Sequence, residues 1–161
     1  MSNPVIDNEV AKAFDNARHP GLLHLLKRIV QRRPNKLHDF NAVREHLPVS
    51  GQHEGGLQLV PMEKIVGSVG RTSDFDREFR PRNEHTRDRW KRVARIIHEG
   101  GALPPIELLK VGEFYFVVDG NHRVSVMREQ GQLEVEAHVT EVETPLDIDS
   151  TAEFRRLVKS E

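Results

Sequence analysis

The sequence predicts an α+β fold, a mixed sheet flanked by helices with an N-terminal helical extension. Three observations predict it. Apolar residues recur at helical spacing within residues 1–48 and again at Trp90, Val93, Ala94 and Ile97. Two strand-like runs, Ile106–Val111 and Phe114–Val118, are joined by Gly112-Glu113 as a hairpin. Leu133, Val135, Ala137 and Val139 then alternate with Glu134, Glu136, His138 and Thr140, the pattern of a half-exposed strand.

Each element has its own signal. Leu22, Leu23, Leu26, Ile29 and Val30 share a helical face between Pro20-Gly21 and Pro34-Asn35, with Lys27, Arg28 and Gln31 opposite. A shorter helix runs from Asp39, as N-cap, through Phe40, Val43 and Leu47 to Pro48. Ser50–Gly56 has the composition of a linker, which sets residues 1–50 apart as the extension. Leu57–Met62 reads as a short strand, Gly67–Arg71 as a turn, and Thr72–Arg82 as a polar, irregular stretch.

Asn83 or Thr86 caps the helix that carries Trp90; Gly100-Gly101 ends it, and Pro104-Pro105 forbids its continuation. Phe114–Val118 is apolar without alternation, as in a strand covered on both faces. A helix follows Asp119-Gly120 and stops at Gly131. Ser150-Thr151-Ala152-Glu153 is a capping box that opens a C-terminal helix within residues 144–161. Residues 57–143 are thus the core domain.

Composition narrows the function classes. At 161 residues, 37% hydrophobic and 30% charged, the chain has the size and makeup of one globular domain with an appendage. No apolar run reaches the ~18 residues needed to cross a bilayer, and the N-terminus lacks the basic and apolar regions of an export signal. The expected setting is cytoplasmic, with no membrane partner. With no cysteine, disulfides, thiolate metal sites and cysteine nucleophiles are ruled out. The net charge of -1 conceals a split: residues 1–100 carry 18 basic and 13 acidic side chains, residues 101–161 carry 6 and 12. The basic part suits contact with phosphates, or the two parts complement each other within the fold.

Val117–Arg123 carries the chemistry. A buried strand ends in an acid and a glycine, and a helix starts at once. Helix N-termini present unpaired N–H groups and partial positive charge, which suit an anion. Gly120 allows close backbone approach. His122 and Arg123 place basic groups in the first turn, where acidic ones are preferred, so something negative is expected there. Asp119 is that group, or it holds Mg²⁺ beside a bound phosphate, or it is a cap next to a surface arginine.

Other signals are weaker. Gly67-Ser68-Val69-Gly70 reads as a phosphate clamp or a tight turn. Arg80, Arg82, Arg87, Arg89 and Arg92 form a basic strip, or a salt-bridge network with Asp74, Asp76, Glu78, Glu84 and Asp88. The histidines show no ligand spacing, and Trp90 and Met127 read as core.

Asp119-Gly120-Asn121-His122-Arg123, continued by Val124–Gly131, resembles the second conserved box of the ParB N-terminal domain superfamily. That superfamily includes sulfiredoxin, a free-serine kinase and the ParB-like nuclease domains. Leu59–Ile65 resembles its opening strand, and Pro104–Leu108 the start of its hairpin. The likeness covers roughly residues 57–143, in matching order, and implies a ParB/sulfiredoxin-like sheet with a phosphate ligand at the strand-to-helix junction. Gly120, Asn121, His122 and Arg123 match the phosphate box, and Asp119 matches the acidic position of its D-G-x-x-R members. Arg71 lies near a polar contact of the first box. On this basis Asp119 and His122 are the catalytic candidates and Asp119 the metal candidate. Gly120, Asn121, His122, Arg123 and Arg71 are the ligand-binding candidates.

The departures matter as well. Asn121 stands where sulfiredoxins carry their cysteine, so sulfinic-acid reduction is excluded. His122-Arg123 replaces the paired arginines of ParB proteins, which puts a CTP preference in doubt. Only 38 residues follow Arg123 (161 − 123), so a helix-turn-helix reader of DNA is not expected in this chain. The resemblance implies a nucleotide ligand, with ATP, ADP and CTP undistinguished and Mg²⁺ as an accompanying ion, and with NTP hydrolysis or phosphoryl transfer as activities. The alternatives are a DNA-binding or nuclease module, and a non-enzymatic interaction or regulatory protein. A homodimer is left open.

Overall fold

Along the chain run α1 (Pro4–Arg18), β1 (His38–Asp39), α2 (Phe40–Glu45), β2 (Gly51–Pro61), β3 (Ile65–Ser68), α3 (Arg87–His98), β4 (Ile106–Val111), β5 (Phe114–Asp119), α4 (Asn121–Glu129) and β6 (Glu134–Glu143). One-turn 3₁₀ helices lie at Met62–Lys64 and Glu84–Thr86. This computed structural model describes residues 3–18, 35 and 37–145. The helix expected over Leu22–Val30 and the C-terminal helix opened by Ser150–Glu153 lie outside the described residues.

The six strands form one mixed sheet in the order β1-β3-β5-β4-β6-β2. β3 is parallel to β1 and β5, and β4 is parallel to β6. The β4–β5 hairpin and the β2–β6 pair are antiparallel. β5 lies inside the sheet, and alternation along it feeds two cores. Tyr115 and Val117 join the larger one, with Val10 and Phe14 of α1, Trp90 and Ala94 of α3, and Val124 and Val126 of α4. Phe116 joins the smaller one, with Phe40 and Val43 of α2 and Leu47. Both faces of β5 are therefore covered, as its unbroken apolar run requires.

The N-terminal helix is present and packs into the larger core, where Phe14 meets Trp90 edge-on at 5.5 Å. Residues 51–56 are not a linker. They form the first half of β2, whose pairing with β6 from Gly51↔Glu143 onward slips at a bulge between Glu54 and Gly56. Glycine-rich sequence reads as loose, yet here it is paired backbone. Ile65–Ser68 is a strand too, so the turn expected from Gly67 starts later. Gly67 fits there because a Cβ would stand 2.4 Å from the His38 carbonyl and 2.6 Å from Phe116 Cδ1. Asp39 caps α2 as expected, accepting from the Asn41 N–H at 2.9 Å. Thr86 stands at the N-cap of α3, one of the two expected positions, but without a side-chain cap bond: its hydroxyl donates to Asn83 O at 2.7 Å, and the Asn83 amide donates to the Ser73 carbonyl at 3.2 Å.

The polar stretch after β3 is irregular and tightly tied. Asp76 Oδ1 accepts from the N–H groups of Glu78 and Arg80, both at 2.9 Å. Phe75 and Phe79 are fully buried beneath it. No described helix is long and apolar enough to cross a membrane.

Candidate functional site

The site is the junction of β5 and α4, faced by the loop after β3 and by the first turn of α3. Gly120 is the N-cap of α4 with φ +113°, and no side chain caps the helix. The first hydrogen bond is Val124 N–H to Gly120 O at 2.9 Å, and the N–H groups of Asn121, His122 and Arg123 precede it. Residues at the start of a helix have no acceptor one turn back, so these donors depend on something outside it. A Cβ on Gly120 would stand 2.5 Å from Ile106 Cγ2. The glycine is demanded by its left-handed backbone and by β4, and ligand clearance is a secondary reason.

The sequence reading placed surplus positive charge on His122 and Arg123, and the structure accounts for both. His122 is buried against the edge of Phe75, with ring centroids 5.2 Å apart. Burial first, then the charges of Arg89 and Arg71, push its imidazole down to about 4 against the pull of Asp74. His122 is therefore neutral near pH 7. Arg123 Nη1 donates to the carbonyls of Pro104 at 2.7 Å and Pro105 at 3.0 Å, and Nη2 to the Asp119 carboxylate. Its guanidinium latches the β4 approach to α4. Asp119, two-thirds exposed, is Arg123's counter-ion.

The cations near the first turn of α4 come from elsewhere. Arg71, in left-handed conformation at φ +58°, donates to Asp74 Oδ2 at 3.1 Å. The buried Asp74 also accepts from His85 Nε2 at 2.9 Å. Burial opposes its ionisation, but the hydrogen bonds from Arg71 and His85 outweigh that and hold the carboxyl below its usual range. Arg89 is exposed at the start of α3, next to Trp90, whose indole donates to Ser125 Oγ at 2.9 Å. That bond ties α3 to the face of α4 that carries His122, three residues earlier. Asp74, His85 and Arg89 were not singled out for this site by sequence. Nothing local in it reveals that a loop and a second helix converge on His122.

Elsewhere the basic strip is partly neutralised: Arg80 pairs with Glu78, and Arg87 with Glu84 at 2.8 Å. Among the described residues no three His, Asp or Glu side chains gather as a metal site. Of the site residues expected from the sequence, Asp119 alone offers a carboxylate, and the nearby Asp74 is taken up by Arg71 and His85, so a Mg²⁺ here would take most of its ligands from phosphates and water.

The fold and junction define an α+β domain in which a central strand runs through a left-handed glycine into an uncapped helix. The chain belongs to the ParB N-terminal domain family, which it matches over residues 51–152. No curated protein matches it significantly. Among solved structures it is similar to sulfiredoxin from Arabidopsis thaliana. The identity is 21% and the TM-score 0.39, over 62% of this chain and 92% of that one.

Proposed function

We propose that the chain binds a nucleotide or another phosphate-bearing ligand at the N-terminus of α4. The observation that carries this reading is the uncapped helix start, three N–H donors behind a glycine N-cap with no side-chain acceptor. A phosphate oxygen supplies the missing acceptor, and the helix dipole favours its charge. A second feature agrees. Asn121 is more than nine-tenths buried, and its Oδ1 is the one buried side-chain oxygen among the described residues without a partner. Such an orphan is costly, and a donor arriving with the ligand relieves it.

In this reading Gly120, Asn121 and His122 bind through backbone, and Arg71 lends charge. Arg123 gives its N–H while its side chain holds the junction in shape. Hydrolysis or phosphoryl transfer would enlist Mg²⁺ carried on the phosphates, with Asp119 as its protein ligand once released from Arg123. Neutral His122 would be a proton acceptor inside the first turn.

A thermal-shift series with ATP, ADP, CTP and pyrophosphate, each with and without Mg²⁺, tests the binding. A probe at a hundred times its Kd adds about 2.7 kcal/mol of stability. No shift with any of the four contradicts the reading.

The exposure of Arg82, Arg89 and Arg92 favours a second reading, binding to the nucleic-acid backbone. Affinity for a random DNA duplex would then fall steeply with added salt. A gel shift that is absent at low salt removes it.

A further inference from the structure

We propose that Arg89 of α3 is the side-chain cation that grips the ligand phosphate at the start of α4, the role the sequence resemblance would give to Arg123. This rests on the phosphate reading above and adds the residue and the direction from which the ligand is held.

Four observations support it. The Arg123 guanidinium has three acceptors of its own on the β4 side, Pro104 O, Pro105 O and Asp119. Two of the other α3 arginines are used as well: Arg87 pairs with Glu84 and Arg95 with Asp7, while Arg92 stands one turn further along. Arg89 has no hydrogen bond or ion pair among the described residues and is exposed. The Trp90–Ser125 bond packs the start of α3 against α4, and Arg89, the residue before Trp90, acts on His122 more strongly than any other neighbouring charge. Asn121 Oδ1, an acceptor buried in that same turn without a partner, is the independent sign that a donor is missing there, and a guanidinium drawn in with the ligand is such a donor.

The geometry gives the ligand a side. It lies over the α3 flank of the junction, with Arg89 on one hand and the Arg71–Asp74–His85 cluster on the other. The groups facing His122 there are Arg71, Asp74 and His85 from the loop and Arg89 from α3. Arg71 shares its charge with Asp74, so among the described residues whose charge acts on His122 Arg89 is the cation without a carboxylate partner. A guanidinium suits the task because its planar fork meets two phosphate oxygens at once.

Calorimetric titration of the full chain with sodium pyrophosphate tests this, on wild type, Arg89→Ala, Arg89→Lys and Arg92→Ala. Arg92 is the control, being exposed one turn further along the same helix. Arg89→Ala is expected to weaken pyrophosphate by about 10- to 100-fold, the worth of one charge-assisted contact. Arg89→Lys recovers part of the loss, and Arg92→Ala changes affinity by less than about threefold, as a distant screened charge does. Wild-type binding that Arg89→Ala leaves unchanged overturns the assignment of Arg89 but not the phosphate site. Equal losses from Arg89→Ala and Arg92→Ala also overturn it, since they mean diffuse attraction. No heat from wild type overturns both readings.

Discussion

Replacing Arg123 by alanine separates a structural latch from a ligand contact. The wild-type guanidinium donates to Pro104 O at 2.7 Å, to Pro105 O at 3.0 Å and to the Asp119 carboxylate. Hydrogen bonds made by a charged group are worth about 1.5–3 kcal/mol net. The exposed pair with Asp119 adds only about 0–1 kcal/mol. Alanine also leaves the half-buried Pro105 carbonyl without its donor, so the whole cost is about 2–4 kcal/mol. In a chain of this length that lowers the melting temperature by about 5–12 °C. Thermal and urea unfolding of Arg123→Ala, Arg123→Lys and Asp119→Ala measure it. Lysine keeps part of the stability, because an ammonium reaches a carbonyl but cannot fork between acceptors. Asp119→Ala costs less than about 1 kcal/mol. An Arg123→Ala protein that melts within about 2 °C of wild type but loses phosphate binding refutes the latch.

The other predictions concern the frame of the site. Gly120→Ala is strained by its φ of +113° and drives a methyl to 2.5 Å from Ile106 Cγ2, so urea unfolding should show a loss of about 2–4 kcal/mol. Phe14→Ala opens a cavity beside Trp90 and costs about 3–5 kcal/mol; a loss under about 1 kcal/mol means that α1 is detachable. His122 is depressed from 6.5 to about 4, so below its ordinary value the unfolded chain takes up a proton that the folded chain refuses. Stability from this group is therefore complete above about pH 6.5 and declines as the pH falls toward 4. The His122 ring signals in NMR should titrate near 4, and a midpoint near 6.5 contradicts its burial.

How much of this was legible in the sequence depended on how local each signal was. The β4–β5 hairpin, the α4 start at Asn121 and the Asp39 cap are each encoded by a few adjacent residues, and they stand where the pattern put them. Gly51–Gly56 misled, because its glycines read as loop while pairing with β6, some 90 residues away, makes them strand. The junction box was visible as Asp119–Arg123, but the state of its side chains was not. Whether His122 is charged depends on Phe75, Arg71 and Arg89, and what Arg123 binds depends on the Pro104-Pro105 carbonyls. Those partners are brought in by tertiary packing that no spacing in the sequence records.

The central claim is that α4 presents its first N–H groups to a phosphate, and amide NMR during titration with ATP reads those groups directly. The account predicts that the amide signals of Asn121, His122 and Arg123 move most and saturate together, with Arg71 close behind. Saturable shifts confined to other parts of the chain, or none at any concentration of ATP, contradict it.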